Sequence, residues 1–493
     1  MINANSGQAD PFGTVQILGT VMFRGDRDCA MRTLALLRSR GLAVIRHVLW
    51  FSVFFMTVPA WAGRGFPSIS VSQIVPLLLA NCTSYQMADY DAARNQVLFY
   101  PYGNTTAGEV LNGKLLVFNV AAGTQNFTNP SDWTVTNLQS VAGSTNAASF
   151  GGGFLDASDT YAYMVGRSIN NTTWAGQINL ASMHSNHNSP SAYSWFDPTT
   201  ITPTAGSGGF SGIYANGYAY FAPTQTNIFI EFNGADSFSS ASSWTSYDLS
   251  NVQSNIGGPQ SMAYIAPYVY GIPFQAPGGG SASSLFWSYN TTLSFTSASS
   301  YQVLDLTTIS SIPGAIRSGL TEFTGGVVVG SSLVLVPWGA SQTAVTKSVA
   351  LKYDSTQSLT SGSAWQYIQL TNVDPNAGGY QFGWLDANGF MFFVPTHNFN
   401  MTNGVGTPPL VAWDTTLPFS SASSWTSYPV SPVRTWLTGA AYDPTTDTAW
   451  SSSYNPGDEL SFTFPLTQFQ ETYTPPAVFA FGSVTAKGNV QIK

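Results

Sequence analysis

Phe238-Ser-Ser-Ala-Ser-Ser-Trp244-Thr-Ser-Tyr247 reappears almost letter for letter as Phe419-Ser-Ser-Ala-Ser-Ser-Trp425-Thr-Ser-Tyr428. Weaker copies centre on Trp133, Trp195, Tyr301 and Trp365, and the steps between these six aromatics are 62, 49, 57, 64 and 60 residues. A near-constant step of that size means one supersecondary unit copied many times. Each copy buries its apolar face against the next.

Beside each tryptophan segment lies a second module: an apolar strand, a tight turn and another strand. Ser211-Gly-Ile-Tyr-Ala-Asn216-Gly217-Tyr-Ala-Tyr-Phe-Ala-Pro223 shows it best, with Asn-Gly as the hairpin signal. Copies begin near Met87, Phe150, Gly209, Ser261, Leu320, Tyr380 and Gly439. The second strand often runs into proline (Pro101, Pro223, Pro273, Pro337, Pro395). A third strand then ends in an aromatic residue followed by Asp or Asn, as in Phe118-Asn119, Phe232-Asn233, Tyr289-Asn290, Tyr353-Asp354 and Trp413-Asp414. The tryptophan strand is the fourth.

Four antiparallel strands per unit and seven units predict an all-β, seven-bladed propeller, with six or eight blades left open if a weak unit is miscounted. No long 3.6-residue apolar period follows residue 62. The last unit offers Leu460-Ser-Phe-Thr-Phe464 as a third strand but has no tryptophan copy. Ser68-Ile-Ser-Val-Ser-Gln-Ile-Val75 is expected to supply its outer strand and close the ring, with Ala477-Val-Phe-Ala-Phe481 as the rival. The recurring Asp354, Asp414, Asn119 and Asn233 are read as turn residues whose side chains cap their own backbone. The tryptophans are read as blade-to-blade packing.

The repeat resembles the kelch-like propellers over nearly the whole chain after residue 62. The shared features are the glycine pairs Gly152-Gly153, Gly208-Gly209 and Gly378-Gly379, an aromatic second strand such as Tyr218-Ala-Tyr220, and the late tryptophan. Here the pairs are expected before the first strand, whereas kelch repeats carry them after the second. The period is also longer than about 50 residues. The resemblance implies the architecture and passes on no function, because such folds host both enzymes and binding modules.

The first sixty residues read differently. Met31-Arg-Thr-Leu-Ala-Leu-Leu-Arg-Ser-Arg-Gly-Leu-Ala-Val-Ile-Arg46 is a basic stretch, residues 48–58 are mostly apolar, and Ala60-Trp61-Ala62 is a small-x-small cleavage signal. That order is the order of a secretory signal peptide. The expected division is therefore an upstream extension at 1–30, a signal peptide at 31–62, the propeller at 63–476 and a C-terminal strand or tail at 477–493. The expected location is secreted, periplasmic or at the cell surface.

Residues 63–493 hold 10 basic and 21 acidic residues, a net charge of −11. Such a chain has no electrostatic footprint for nucleic acid or anionic lipid. Cys82 is its only cysteine, so no intrachain disulfide forms and the core must hold the fold. Seven Asn-x-Ser/Thr sequons are about the number this composition gives by chance and assign nothing.

No pattern carries a specific catalytic signal. His184-Ser-Asn-His187 has the spacing of two metal ligands. It is expected between a third and a fourth strand, whereas His397 follows a second strand on the opposite face, so the three do not converge. Kelch-like copper oxidases carry a Cys-modified tyrosine with histidine ligands, and Cys82 has no histidine near it in sequence. Sialidase-like Asp-box turns have the form Ser-x-Asp-x-Gly-x-x-Trp, and the segments before Trp244 and Trp425 lack both the Asp and the Gly. No Gly-x-Ser-x-Gly elbow is present. Asp374, Asp458 and Glu459 are read as solvated loop carboxylates. No metal or organic cofactor is expected.

One pattern marks a surface. The loops after the second strands share one face and carry Tyr102, Trp174, Phe274, Trp338, Phe399 and Tyr454, joined by Trp436 from a loop between blades. Flat apolar rings beside neutral hydrogen-bonding groups suit sugar rings, which have an apolar face and a rim of hydroxyls. The leading expectation is a non-catalytic module binding neutral glycans or a protein partner through that face. The alternatives are a polysaccharide-active hydrolase or lyase, and a structural surface component.

Overall fold

A computed structural model describes residues 68–70, 74, 85–102, 113–120, 126–166, 174–203, 209, 211–224, 226–277, 281–338, 348–396, 408–429, 437–453 and 465–470. All of them belong to one compact unit, Pro59–Lys493. The expected leader, the expected tail and Ala477–Phe481 lie outside the described residues. No helix among the described residues is long and apolar enough to cross a membrane.

The chain forms a β-propeller of four-stranded antiparallel sheets. Six sheets take four consecutive strands each: blade 1 (85–137), blade 2 (150–196), blade 3 (212–248), blade 4 (259–305), blade 5 (323–369) and blade 6 (380–428). A seventh sheet is composite. Leu437–Asp443, Thr448–Ser453 and Pro465–Gln470 are joined by Ser68–Ser70, which pairs with Pro465–Gln470 through Ser68↔Thr467 and Ile69↔Leu466. The N-terminal strand thus covers the edge that the last unit would expose, as the sequence led us to expect. The third strand of that unit is Pro465–Gln470, and Leu460–Phe464 lies outside the described residues.

Seven hydrophobic clusters hold the ring together, and each lies between two adjacent blades. Between blades 7 and 1, Ala441 and Trp450 meet Phe99, Phe118 and Trp133. Between blades 3 and 4, Tyr220 and Phe229 meet Trp287, Tyr289 and Tyr301. Alternation explains this arrangement. Each strand sends successive side chains to opposite faces of its sheet, and both faces are covered by neighbours, so the strands read as nearly continuous apolar runs. Gln96–Pro101 and Ser332–Pro337 are buried almost throughout.

The tryptophan segment works as one local device. A single 3-10 turn such as Ala241–Ser243 delivers Trp244 to the start of the fourth strand, and its indole N–H donates to the Phe238 carbonyl at 2.7 Å. The same bond, six residues back, is made by Trp133, Trp365 and Trp425 and by the hydroxyl of Tyr301. In blade 2 the residue that makes it is Tyr193, bonded to the His187 carbonyl at 2.8 Å, and not Trp195. This corrects the centre of that copy, and the steps become 60, 51, 57, 64 and 60 residues. Trp195 sits two residues later, opposite Gly176, where other blades carry a large third-strand residue such as Leu116 or Leu351. A Cβ on Gly176 would come within 2.9 Å of the Trp195 ring, so the indole fills the space that the glycine leaves.

Of the residues expected to form turns at the ends of third strands, Asn233, Asp354 and Asp414 do so, whereas the turn after Asn119 lies outside the described residues. Asn290, Asp354 and Asp414 each accept from the backbone N–H two residues on. Bonds from the Thr356 hydroxyl and the Gln357 amide hold the Asp354 carboxyl below the usual range. One glycine pair is placed differently from the expectation. Gly152-Gly153 lies inside the first strand of blade 2, Phe150–Leu155, at a bulge.

Six of the seven innermost strands are bulged, between Tyr85/Ala88, Phe150/Gly152, Pro259/Ser261, Phe323/Gly325, Tyr380/Gly383 and Thr438/Ala441. Bulges bend a strand and re-aim its side chains. The prolines that close the second strands also find their role here. Tyr85, Pro259 and Tyr380 pair with Pro101, Pro273 and Pro395, which have no N–H to offer. A threonine hydroxyl of the preceding blade donates to each of these carbonyls instead: Thr438 to Tyr85 at 3.1 Å, Thr224 to Pro259 at 2.7 Å and Thr324 to Tyr380 at 2.8 Å. Blade is thereby clasped to blade at the inner rim.

Candidate functional site

The loops after the second strands and those before the first strands open on the same face of a propeller. Tyr102 follows Pro101 and is covered, with 1% of its surface exposed. Phe274 follows Pro273 and is also buried, whereas Trp338, after Pro337, is half-buried. Trp174, just before the third strand of blade 2, is half-buried as well. Phe399, Trp436 and Tyr454 lie outside the described residues, as does His397.

Phe274 and Trp338 belong to adjacent blades and are brought together. Their ring centroids are 6.2 Å apart with planes at 79°, an edge-to-face pair. A chain of backbone hydrogen bonds fixes them. The Ser283 N–H donates to the Phe274 carbonyl at 3.1 Å, the Glu322 N–H to the Ser283 carbonyl at 3.3 Å, and the Trp338 N–H to the Glu322 carbonyl at 3.0 Å. The backbone of Glu322 is therefore the strut between the two aromatic loops.

Glu322 is the residue that pattern reading passed over. It is half-buried and holds φ at +60°, in the left-handed region. The residue before the inner strand takes that conformation in other blades too, where it is Gly258 (φ +66°), Gly379 (φ +74°) or Ser149 (φ +61°). At Gly258 no side chain fits, since a Cβ would lie 1.4 Å from the Gln275 carbonyl oxygen. A glutamate in that conformation costs about 1–2 kcal/mol. The signal was available in the sequence as a carboxylate aligned with glycines, but only the register of the bulged strands makes the alignment certain.

A second aromatic group lies in blade 2. Trp174 is 6.4 Å from Trp195, which stacks at 6.2 Å on Phe150 with an interplanar angle of 23°. Beside it, an apolar cleft opens between blades 2 and 3, lined by Val165, Ala175, Pro198, Phe221 and Ile228. The face thus offers a half-buried indole at Trp338, a pair at Trp174 and Trp195, and an apolar groove.

His184 is a surface residue, though on a short helix and not a plain loop, whereas His187, just beyond that helix, is half-buried with its Nδ1 covered. His184 ends the helix Leu180–Ser185, is exposed, and meets the Gln96 carboxamide oxygen through Nδ1 at 3.1 Å. Burial and the neighbouring His184 push the His187 imidazole below its usual value. No group of three metal-ligating side chains occurs among the described residues. Two further titratable groups lie between blades. Glu231 is pushed up to about 7 by burial among tyrosines, and Lys352 lies 5.3 Å over Trp413, its ammonium lowered by burial.

No protein-family model matches the chain, and no curated protein matches it. The propeller architecture is what the structure establishes.

Proposed function

We propose that this protein is an exported, non-catalytic binding module of kelch-like descent. It takes neutral glycans against the face that carries Phe274, Trp338 and Glu322. The observation that carries the reading is the aromatic pair joined by the Glu322 strut. An indole face stacks on the apolar side of a pyranose, and a neighbouring carboxylate accepts from its hydroxyls. Retention of a glutamate in a conformation that favours glycine supports a use for its carboxylate, since strain of this kind gathers at functional positions. The scarcity of cations and the net charge of −11 over residues 63–493 favour a neutral ligand over an anionic one.

The test is binding of the 63–493 chain to an immobilised panel of neutral glycans, beside Trp338→Ala and Trp174→Ala. Saturable binding that Trp338→Ala weakens at least tenfold, with Trp174→Ala little changed, supports the site between blades 4 and 5. Absence of binding by a folded chain sinks the glycan reading and moves the weight to a protein partner.

A further inference from the structure

The repeat supplies its own internal comparison, and one pair of positions departs from it. By strand register, Asp89, opposite Leu98, is equivalent to Phe154, Ile213, Ala263, Val327, Trp384 and Ala441. Tyr100, two residues after Leu98, is equivalent to Val165, Ala222, Ile272, Val336, Val394 and Ser452. Six blades place an apolar residue at the first of these positions; blade 1 alone places a carboxyl there and a phenol beside it. The side chains point into the seam with blade 2, where the Tyr100 ring lies over Gly153 so closely that a Cβ there would be 2.3 Å from it. Asp89 Oδ2 and the Tyr100 hydroxyl are both covered, and neither has a partner of full hydrogen-bond geometry.

We propose that the seam between blades 1 and 2 is a pH-responsive joint, tightened when Asp89 takes up a proton. Among the described residues, the titratable and charged groups around it include Tyr90, which donates to Asn95, and Asp156, which accepts from Ser158 and Thr160. On its own strand, Asp91 is held by Arg94 at 3.1 Å and by Gln96 at 2.8 Å. Arg94 also donates to the Asp159 carbonyl at 2.7 Å, so this neighbouring cation is already engaged. The second strand of blade 1 brings Tyr100. From blade 2, the hairpin brings Asp159, whose carboxylate accepts from the Ala92 N–H at 3.2 Å. The first strand of blade 2 brings no titratable group, and the second brings Tyr161 and Tyr163, which pack in the next seam. The helix Leu180–Ser185 brings His184, bonded to Gln96, with His187 just beyond.

A buried carboxylate without a cation is costly, and a neutral carboxyl beside a phenol is not. Burial pushes Asp89 up to about 6, the Tyr100 hydroxyl pulls the other way, and Asp159 adds to the rise. The sign follows. With the folded value above the unfolded one, the seam has its full strength below about pH 4, the ordinary carboxyl value, and weakens as pH rises through 6. His187, lowered by burial, works in the opposite sense, so the contribution of Asp89 is read as a difference between proteins and not from one curve.

The experiment compares the 63–493 chain with Asp89→Asn and Asp89→Val, the latter restoring the apolar residue of blade 5. Urea unfolding from pH 4.5 to 7.5 is expected to show the variants gaining on the parent as pH rises, by about 25-fold in the folding equilibrium across that range. Amide exchange, corrected for intrinsic rates, is expected to slow with acid at 98–100 and 152–154 in the parent and to lose that dependence in the variants. Parallel pH curves for parent and variants, or acid protection confined to another seam, would overturn the proposal. Should the position 89 variants not fold, Tyr100→Phe removes the hydroxyl that favours the charged carboxyl. It is then expected to move the parent transition to higher pH, and an unmoved transition overturns the proposal equally.

Discussion

The indole N–H of Trp244 donates to the carbonyl of Phe238, six residues back, and both side chains are buried in the seam with blade 2. That bond closes the turn between the third and fourth strands and aims a large ring at the preceding blade. Trp244 lies 4.4 Å from the stacked Phe196 ring of blade 2. One residue therefore fixes a local turn and a tertiary contact together, which is why the segment recurs so faithfully.

Trp365→Phe keeps an aromatic ring but gives up part of the indole's packing, and it strands the Leu359 carbonyl, which accepts the indole N–H at 2.9 Å. The expected loss is about 1–3 kcal/mol. Trp365→Tyr is expected to lose less, because Tyr301 makes the equivalent bond at 2.7 Å in blade 4. Urea midpoints of the two variants decide; equal losses would show that the hydrogen bond contributes nothing.

Thr324→Val is nearly isosteric and removes the hydroxyl that reaches the Tyr380 carbonyl at 2.8 Å, opposite a proline with no N–H. We expect a loss of about 1–3 kcal/mol, with faster amide exchange concentrated in the inner strands of blades 5 and 6. A uniform loss across all blades would argue against a local clasp.

Glu322→Gly is expected to separate stability from binding. Relief of the left-handed backbone should raise stability by about 1 kcal/mol, while glycan binding falls with the lost carboxylate. A variant that is less stable, or one that binds as well as the parent, contradicts the role given to Glu322. Gly258→Ala, at the equivalent position in blade 4, is expected to destabilise strongly because its Cβ would overlap the Gln275 carbonyl.

Glu231 is neutral over a wide pH range because burial among Tyr220, Tyr289 and Tyr301 raises its folded value to about 7. Raised above its unfolded value, it costs nothing below about pH 4.5 and progressively more as pH climbs through 7. Glu231→Gln should match the parent at pH 4.5 and exceed it at pH 8, by at most about 3 kcal/mol and less after solvent screening. Thermal midpoints at the two pH values test this, and a constant difference would refute it.

Local chemistry explains what could be read in advance. Asn216-Gly217 takes φ of +50° and +86°, so a hairpin follows wherever the pair falls between apolar runs. Asp354 caps its own turn through the backbone two residues on. The blade 2 copy centres on Tyr193 and not on Trp195, because composition alone does not tell a tryptophan that bonds a turn from one that fills the space over Gly176. The Phe274–Trp338 pair was half legible: both loops were assigned to one face, but their approach to 6.2 Å and the strut between them were not.

The sequence by itself determined the repeat, the four-strand order and the turn chemistry, because each rests on periodicity or on contacts a few residues apart; it left two candidate strands for closing the last sheet, and the tertiary structure pairs Ser68–Ser70 with Pro465–Gln470. The tertiary structure decided which groups meet across the ring. Thr438 finds the Tyr85 carbonyl 353 residues away, Glu322 joins two aromatic loops, and Asp89 and Tyr100 enter the seam at positions that are apolar, or serine, in the other blades. Those meetings depend on the register of the bulged inner strands. A shift of one residue turns every side chain to the opposite seam, and no local pattern fixes that choice.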